Sequence, residues 1–498
     1  QRNVREQRLS FTTDTAEAFN KLFLGFARSL HSLSASGYRS GNWQINGCGA
    51  LFQLGCSFPE YAESTAWKRR AVSMLEAHVQ RDFFADGGHK ERCWSYGTGV
   101  ARHLCEAYDT AQRFGGLGKA DQRVLRGIRK AYTWFAKSIG PTDHLPAYGD
   151  GQLAFAPKLL EQARAYFPKG TDATLGIDRG RSYLLDSSGY AIMRNGDDRK
   201  ATYLNMNVGH WGGWHSHLDL LNINLWSHGQ PLIEEPGRYD GYDHPQSYYF
   251  RAPECHNLTT IEGGHWDNQN VDNRNARDVR WFSNDRIDYV SAYHTAYQTF
   301  GLEPQSPTCA VRRTVIFVKD PGYALVIDTV KGLYSSTADF SLCAKWHSQT
   351  GFRALKPGLF RTKGGPACLL ALARTDGLRH VETGYDFAES DYTGTGVYPE
   401  RYYLRLRRWM ATGFVGAVGF ATLLYPFSGK QPTVSIKAIE ADGGEPWAAE
   451  GYEVRTPRGK DVILVNPEAR KGVKVSGKAI GGRAKVMLGN GRGSVTVR

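Results

Sequence analysis

Three histidines and an aspartate stand close together in the segment GHWGGWHSHLD, which runs from position 209 to 219. His215, His217 and Asp219 occupy alternate positions, and an alternating apolar run, LLNINL, follows them. Because alternate residues of a β-strand share one face, this spacing predicts two imidazoles and a carboxylate side by side at the end of a buried strand. Imidazole and carboxylate are groups that transfer protons and bind zinc, and we expect Asp219 to orient the imidazoles. A structural role, with the histidines hydrogen-bonded at a sheet edge, stays open.

Two further clusters follow along the chain. In EEPGRY, at positions 234–239, a carboxylate precedes a Pro-Gly turn, and in ECHNLTTIEGG a histidine stands at the start of another strand. Two histidines and a carboxylate on neighbouring strands form a zinc-type ligand set. His217, Glu235 and His256 are therefore candidate metal ligands, with an ordinary strand end as the alternative for the carboxylate.

The amino-terminal part of the chain has its own polar motifs. SGNWQING contains Asn42, and DGGHKERCWSYGTG contains Asp86, Glu91 and Tyr96. The structural alternatives are a helix N-cap for Asn42, packing near a helix start for Tyr96, and loop carboxylates for the other two.

Helical periodicity extends from about position 12 to 167. Six segments show it, and they are TAEAFNKLFLGFARSLHSL, CGALFQLG, TAWKRRAVSMLEAHVQRDFF, YGTGVARHLCEAYDTAQRFG, ADQRVLRGIRKAYTWFAKS and GQLAFAPKLLEQARAYF. In the third segment Trp67, Ala71, Met74, Leu75 and Val79 fall at three- and four-residue steps, which is one face of an amphipathic helix. Short turns between helices favour antiparallel hairpins, as in an α/α toroid. A closed toroid needs more hairpins, so we expect further helices before Gln1.

The period changes to two after about position 180. RTVIFVKDPGYALVIDTV predicts two strands around a turn at Pro321 and Gly322, and EVRTPRGKDVILVNP repeats the pattern. The predicted fold class is multidomain α+β, an incomplete α/α toroid followed by a large antiparallel β-sandwich. The predicted domains are 1–172 for the toroid, 173–385 for the central sandwich and 386–498 for a C-terminal β-sheet region.

Composition narrows the class of partner. The chain has 498 residues, a formal net charge of +13 and eight scattered cysteines without a C-x-x-C pair, so neither a zinc ribbon nor a disulfide scaffold is predicted. The positive charge favours an anionic partner. We expect no nucleic-acid partner, because basic amphipathic helices and RNA-binding aromatic motifs are missing. The apolar run MATGFVGAVGFATLLYPF is short for a membrane span and predicts a pair of strands instead.

The motifs GNW, DGGHKE with SY, WHSHLD, EEPGRY and CHNLTT occur in this order across a helical-then-β chain. Their order resembles that of the heparinase II/III-like polysaccharide lyases, over most of positions 42–262. The resemblance implies β-elimination on a uronic-acid polysaccharide. It implies that Asn42 donates its amide to the sugar carboxylate, that Tyr96 gives a proton to the leaving oxygen, and that His215 is a second donor or the base.

The resemblance also suggests a metal ion and substrate contacts. Glu235 stands where the family more often has aspartate, and we expect any zinc held by His217, Glu235 and His256 to be mainly structural. The candidate substrate contacts are His89, Glu91, Trp211, Trp214, Tyr239 and Tyr242. For the tryptophans, and for Trp266, core packing is the alternative.

The predicted function is therefore lyase action on an acidic polysaccharide, with heparan sulfate, heparosan or hyaluronan ahead of alginate. We expect an anionic polysaccharide as partner, no membrane span, and secretion or a periplasmic location. One alternative is a glycoside hydrolase that uses Asp86 and Glu91 as acid and base. The other is a carbohydrate-binding protein without activity.

Overall fold

Two compact units make up the chain. The first comprises Gln1–Glu91 and Tyr96–Thr133, and the second comprises Arg92–Ser95 and Trp134–Arg498. The structure, a computed structural model, describes residues 12–36, 40–151, 156–167, 177–213, 215–239, 242–262, 264–266, 271–298, 308–333, 339–386, 401–442 and 449–498.

All six predicted helical segments are helices. They are α1 Thr13–Ser36, α2 Asn42–Ser57, α3 Ser64–Arg81, α4 Trp94–Phe114, α5 Asp121–Ser138 and α6 Ala156–Tyr166. Helix α3 buries Trp67, Ala71, Leu75 and Val79, which is the face that its periodicity predicts. A short helix, α7 Pro245–Arg251, lies within the β-rich part of the chain. Closure of the helices into a toroid stays a prediction.

The β-rich part contains 26 strands within the described residues. They are β1 Tyr183–Leu185, β2 Tyr190–Arg194, β3 Tyr203–Asn207, β4 Ile223–Ser227, β5 Gln230–Ile233, β6 Thr259–Ile261, β7 His265–Trp266, β8 Arg277–Ser283, β9 Ile287–His294, β10 Tyr297–Gln298, β11 Cys309–Val318, β12 Tyr323–Gly332, β13 Phe340–Ser348, β14 Phe352–Lys356, β15 Leu359–Thr362, β16 Ala367–Leu372, β17 Leu378–Asp386, β18 Arg401–Met410, β19 Ala417–Phe427, β20 Ser435–Glu440, β21 Glu450–Thr456, β22 Gly459–Val465, β23 Lys474–Val475, β24 Lys478–Ala479, β25 Ala484–Leu488 and β26 Gly493–Val497.

Four sheets contain most of the strands. They are a five-stranded sheet in the order β1-β2-β3-β4-β5, an eight-stranded sheet in the order β14-β15-β16-β19-β12-β11-β9-β8, a four-stranded sheet in the order β17-β18-β13-β6, and a C-terminal five-stranded sheet in the order β20-β21-β22-β25-β26. Both predicted hairpins are confirmed, since Val318 pairs with Tyr323 and Thr456 pairs with Gly459. The multidomain α+β class is confirmed as well.

The eight-stranded sheet is buried on both faces. Along β11, Val315 and Phe317 belong to a core shared with the first five-stranded sheet and the four-stranded sheet. The alternate residues Ile316 and Val318 belong to a second core, shared with the C-terminal sheet. Because successive side chains of a strand point to opposite faces, a strand covered on both sides is apolar at nearly every position, as VIFV is.

The predicted domain limits at 172 and 385 stay predictions, and the strand pairing crosses the second of them. β18 and β19 follow residue 385, and they pair with β13 and β12. β18 and β19 lie in different sheets, so the prediction that MATGFVGAVGFATLLYPF forms a pair of adjacent strands is wrong. Among the described helices, none is long and apolar enough to cross a membrane.

The segment from His215 to Asp219 is a loop, so its prediction as a strand is wrong; the strand begins only at Ile223. The chain turns where the backbone N–H of Asn222 donates to the carbonyl of Asp219, and Leu221 adopts a positive φ of 69°. The Leu221 N–H donates to the carbonyl of Asn207 on β3, a contact between residues distant in sequence. This hydrogen bond uses a backbone N–H that the predicted strand would need for pairing with a neighbouring strand.

Candidate active site

Asn42 is the first residue of helix α2, and Glu91 holds it from a distant loop. The backbone N–H of Asn42 donates to Oε1 of Glu91 at 3.0 Å, and its side-chain Nδ2 donates to Oε2 at 3.2 Å. A carboxylate only accepts hydrogen bonds, so this contact fixes which end of the Asn42 amide faces Glu91. The negative charge also lies at the positive end of the α2 dipole, where it stabilises the helix.

Gly41 makes room for this contact. Its φ is 62°, and a Cβ built on it would lie 2.0 Å from Oε1 of Glu91. Any other residue would therefore strain the backbone and displace the carboxylate that holds Asn42.

Behind Glu91 lies a buried group of ionisable side chains in the first unit. The rings of His78 and His89 stack with centroids 5.3 Å apart, and Nδ1 of His89 lies 3.7 Å from Glu91. Asp82 lies 2.9 Å from Nδ1 of His78, 2.6 Å from Arg81 and 3.0 Å from Lys90. Burial favours a higher pKa for Asp82, but hydrogen bonds from Arg81 and His78 hold that pKa well below its usual range. Arg81 and Lys90 are permanent cations that neutralise Asp82, so these side chains form a buried ion network beside Glu91.

Tyr96 lies in the first turn of helix α4 and is half-buried. Of the residues proposed for catalysis, Asn42 and Tyr96 belong to the first unit and His215 to the second. His89 and Glu91, proposed as substrate contacts, are 1% and 9% exposed.

In the second unit, Asp150 orients both imidazoles of the H-x-H motif. It lies 3.0 Å from Nδ1 of His215 and 3.0 Å from Nε2 of His217, and Arg251 donates to it at 2.9 Å. Burial favours a higher pKa for Asp150, but the hydrogen bonds of the two histidines hold that pKa well below its usual range. Because an ionised carboxylate only accepts, His215 carries its proton on Nδ1 when neutral, which makes Nε2 the nitrogen that accepts a proton.

The expectation that Asp219 orients the imidazoles is wrong. Asp219 is buried and accepts a hydrogen bond from Nδ2 of Asn207 at 3.0 Å. Asp150 is a residue that sequence reasoning missed. Its only local signal is the sequence Gly-Asp-Gly. The preceding Gly149 has a φ of 63°, and a Cβ there would lie 2.3 Å from the carbonyl oxygen of His215. Close approach of these two segments therefore requires the glycine.

The three residues proposed as metal ligands lie together in the second unit. Ligand-capable atoms of His217, Glu235 and His256 are all within 4.8 Å of one another, and the side chains are buried. His217 uses Nε2 for Asp150, and His256 uses Nδ1 for Glu235 at 2.8 Å. The other nitrogens, Nδ1 of His217 and Nε2 of His256, are buried without a hydrogen-bond partner among the described residues.

These two nitrogens carry lone pairs when their partners accept the ring protons. An imidazole that donates one N–H to a carboxylate and presents the other nitrogen to a metal is the usual arrangement at zinc sites. The donor set of two imidazoles and a carboxylate therefore fits zinc. The neighbouring Glu234 is buried, which raises its pKa to about 7 despite the opposing charge of Arg401.

The aromatic candidates differ in their surroundings. Trp211 is half-buried with the guanidinium of Arg274 4.3 Å above its ring, and Tyr242 is 45% exposed with Arg251 5.3 Å from its ring centroid. Tyr239 stacks on His244 with centroids 4.6 Å apart. Trp214 lies outside the described residues, and Trp266 is buried in the core.

Comparison with known proteins identifies the family. The family model for the heparinase II/III N-terminus matches residues 8–174, and the model for the heparinase II/III-like C-terminal part matches residues 178–401. The chain belongs to the heparinase II/III-like family. Both matches keep the order of the helical and β-rich parts, and together they cover most of the chain.

Curated proteins that the chain resembles include two named heparin-sulfate lyases. The chain is 23% identical to that of Pedobacter heparinus over 454 residues, covering 84% of this chain and 64% of the relative. It is 23% identical to that of Bacteroides stercoris over 299 residues, covering 57% of this chain and 42% of the relative. The chain thus spans less than two thirds of the length of these relatives.

Solved structures share the fold. A heparan sulfate lyase HepC mutant from Pedobacter heparinus matches with a TM-score of 0.70 and 18% identity, covering 90% of this chain and 70% of that one. A heparinase III structure matches with a TM-score of 0.70 and 20% identity, covering 87% and 66%.

Proposed function

We propose that this member of the heparinase II/III-like family is a polysaccharide lyase that cleaves uronic-acid glycosaminoglycans by β-elimination. The family matches over residues 8–174 and 178–401 are the observation that carries the proposal. Relatives named heparin-sulfate lyases favour heparan sulfate and heparosan as substrates ahead of hyaluronan and alginate. The formal charge of +13 suits such a polyanion. A polymer of this kind is encountered outside the cytoplasm, so secretion or a periplasmic location is part of the proposal.

The first requirement of this reaction is stabilisation of negative charge. The proton on C5 of the sugar is weakly acidic while the neighbouring carboxylate is ionised. When this proton is removed, negative charge develops on the carboxylate group, and a hydrogen-bond donor placed there stabilises it. Asn42 supplies this donor in the proposal. One N–H of its side chain donates to Glu91, which fixes the orientation of the amide that is proposed to face the substrate.

His215 is proposed as the base. Asp150 accepts from Nδ1 at 3.0 Å, which holds the ring in the tautomer with a lone pair on Nε2 and stabilises the imidazolium that forms. Tyr96 is proposed to donate its phenolic proton to the leaving oxygen. With a reference pKa of about 10, a tyrosine is protonated at neutral pH and needs no positive neighbour to act as an acid.

A zinc ion held by His217, Glu235 and His256 is part of the proposal. When bound, it would supply a structural cross-link between segments that are distant in sequence. Asp150 connects this set to His215, because it also accepts from His217 at 3.0 Å. Metal analysis of the purified chain tests this, and we expect about one zinc ion per chain. If the purified chain contains no zinc and a chelator does not lower its melting temperature, the zinc proposal is wrong.

The hydrolase alternative receives no support from the carboxylates that it needs. Both oxygens of Glu91 accept hydrogen bonds from Asn42, and Asp86 accepts from the backbone of Gly88 at 3.0 Å. Both carboxylates are thus used as hydrogen-bond acceptors within the first unit, which gives no support to a pair that acts as acid and base on a glycosidic bond.

An absorbance assay tests the proposed function. β-Elimination leaves a C4–C5 double bond that absorbs in the ultraviolet, whereas hydrolysis leaves none. The panel is heparan sulfate, heparosan, chondroitin, hyaluronan, alginate and glucuronan. We expect absorbance to rise on at least one of them, to be abolished by Tyr96→Phe and to fall strongly with Asn42→Ala or His215→Ala. New reducing ends without absorbance would overturn the lyase in favour of a hydrolase.

The role of Asp150 has its own test. Asp150→Asn can donate as well as accept, so it no longer selects one tautomer of His215. We expect kcat to fall by about 10²–10⁴-fold, as when a carboxylate that orients a catalytic histidine is removed. Asp143→Asn, at an exposed ion pair with Arg179, is the control and should keep its activity.

A further inference from the structure

A second polar region lies on the eight-stranded sheet, away in sequence from every residue assigned above. On the face that packs on the C-terminal sheet, the side chains change from apolar to polar along the strands. One row across it is apolar, formed by Ile316, Leu325 and Tyr289. Four residues earlier on β11 the row is Arg312, Thr329 and Tyr293, and the next row is Ala310, Lys331 and Ala417. The side chains of this end therefore do not continue the core.

A cavity of about 480 Å³ lies over these polar rows. The sheet forms its floor, and the loop Pro467–Arg470 after β22 contributes to its wall. Two of the floor residues, Ala310 and Ala417, are small and leave the space open. The volume falls within the range of roughly 300–1,000 Å³ that small-ligand pockets have.

Positive charge is in excess around this cleft. Asp278 is shared by three guanidinium groups, at 2.6 Å from Arg280, 3.3 Å from Arg312 and 3.6 Å from Arg483. Glu468 lies 2.7 Å from Arg470. Burial favours a higher pKa for Glu468, but Arg470 and, more weakly, Lys331 and Arg312 lower it. Among the residues that line the cleft, Arg312, Lys331 and Arg470 are cations and Asp278 and Glu468 are carboxylates, an excess of one positive charge, and Arg280 and Arg483 add two cations beside Asp278 from outside the lining.

Arg312, one of the cations that line the cleft, is held in place. Arg312 is 13% exposed, and its guanidinium lies 4.9 Å from the ring centroid of Tyr293. Its Nη1 also donates to the hydroxyl of Ser291 at 3.2 Å. A guanidinium fixed in this way loses little entropy on binding, and its planar donors match a carboxylate or a sulfate. The hydroxyl of Thr329 adds a donor and an acceptor for sugar hydroxyls, and the hydroxyl of Thr295, which donates to Asn273, adds an acceptor.

We propose that this cleft binds an anionic segment of polysaccharide through carboxylate or sulfate groups, as an accessory site that shares no residue with the histidine clusters. The choice of a polysaccharide rests on the proposed function. The recognition of an anion rests only on the cleft itself. A polymer bound there stays attached to the protein between cleavage events, which raises its effective concentration at the reacting residues.

The test uses polymers that contain no uronic acid, so that the lyase reaction cannot interfere. Dextran sulfate presents sulfates, carboxymethyl dextran presents carboxylates, and unmodified dextran presents neither. Isothermal titration of the full chain should show binding to one or both anionic polymers and much weaker binding to dextran. Sulfate binding alone or carboxylate binding alone assigns the anion. Equal binding of all three polymers would overturn the proposal.

Matched variants separate the cleft from general attraction to a basic protein. Lys331→Gln with Arg470→Gln removes two charges from the cleft, and Lys474→Gln with Lys478→Gln removes two from exposed residues outside it. We expect the first pair to raise the Kd about tenfold or more, as loss of charge-assisted hydrogen bonds does, and the second to change it little. Equal weakening by both pairs would overturn the proposal.

A third variant keeps every ion pair intact. Ala417 lies directly opposite Lys331 on the neighbouring strand, so Ala417→Glu places a carboxylate against that lysine and fills part of the cavity. We expect the same loss of affinity with unchanged thermal unfolding. Unchanged affinity of this folded variant would contradict the proposal. The absorbance assay on uronic-acid polymers is independent, so either proposal can fail without the other.

Discussion

At the scale of single residues, two buried carboxylates hold two of the three side chains proposed for catalysis, Asn42 and His215. Glu91 holds Asn42 through both of its oxygens, and Asp150 holds His215 and His217. The sequence predicts Glu91 as a substrate contact and gives no role to Asp150. Motif spacing does not reveal these roles, because each carboxylate lies 49 residues or more from the side chain it orients.

Glu91→Gln tests the positioning of Asn42. Glutamine has one acceptor oxygen, so it can accept from only one of the two N–H groups of Asn42. Its NH2 group would face the other N–H, and because two donors repel each other, we expect Asn42 to shift. We expect kcat and kcat/KM to fall together by about 10²-fold, since a small misplacement of a group that acts in the transition state costs this much. Steady-state kinetics measure it, with Glu63→Gln at an exposed ion pair as the control. A rise in KM alone would favour the substrate-contact prediction instead.

Gly41→Ala tests the space beside Glu91. The new Cβ would lie 2.0 Å from Oε1 in a backbone region of positive φ, so we expect a loss of about 1–3 kcal/mol in the free energy of unfolding. Gly25→Ala is the matched control, because Gly25 is within helix α1 and nothing lies within 4 Å of its Cβ position. That change should be neutral or stabilise by up to about 1 kcal/mol. Urea unfolding of both variants measures the difference, and equal effects would refute the close contact.

At the scale of elements, the sequence predicts what local patterns determine. The face of helix α3 and the hairpin at Pro321 and Gly322 follow from periodicity and turn chemistry, and both are confirmed. The loop at residues 215–219 could not be predicted in this way. Its shape depends on Asn207 and Asp150, which contact it from distant positions. The alternation of His215, His217 and Asp219 is a pattern typical of a strand. In the structure, hydrogen bonds to residues distant in sequence hold this segment as a loop instead.

The end of helix α3 gives a prediction about pH. The pKa of Asp82 is lowered in the folded state by Arg81 and His78, against the effect of burial. Because the pKa is lower in the folded chain than in the unfolded chain, the ionised carboxylate stabilises the fold at pH values above the unfolded pKa of about 3.9. This stabilisation is lost as the pH falls below about 3.9 towards the folded pKa. We therefore expect Asp82→Asn to cost about 1.5–3 kcal/mol at neutral pH, and the difference from the unsubstituted chain to shrink below about pH 4. Urea unfolding at several pH values measures this, and a difference that does not vary with pH would contradict it.

At the scale of the whole molecule, the second unit is layered. The eight-stranded sheet lies between the C-terminal sheet on one face and the first five-stranded and four-stranded sheets on the other. The sequence indicates a large sandwich but not the middle position of this sheet. Apolar runs such as VIFV suit any strand that is covered on both sides, and periodicity does not reveal which sheets cover it.

Removal of residues 431–498 tests the layering. The truncated chain would lack the C-terminal sheet and expose the apolar face that contains Ile316, Val318 and Leu325. Because a large exposed apolar surface associates with itself, we expect the truncated chain to aggregate and to bind a hydrophobic dye strongly. Size-exclusion chromatography and dye fluorescence measure this. A soluble, monomeric truncated chain with the dye binding of the full chain would show that the C-terminal sheet does not cover this face.

The same layering sets an order of events during synthesis. Ribosomes make the chain from its amino terminus, so strands β8 to β19 emerge before residues 435–497, which form their outer cover. At typical rates of about 5–20 residues per second, this interval lasts seconds, longer than hydrophobic collapse takes. Throughout that interval, a row of isoleucine, valine and leucine side chains faces water. The nascent chain is therefore most prone to self-association before the strands of the C-terminal sheet have been made.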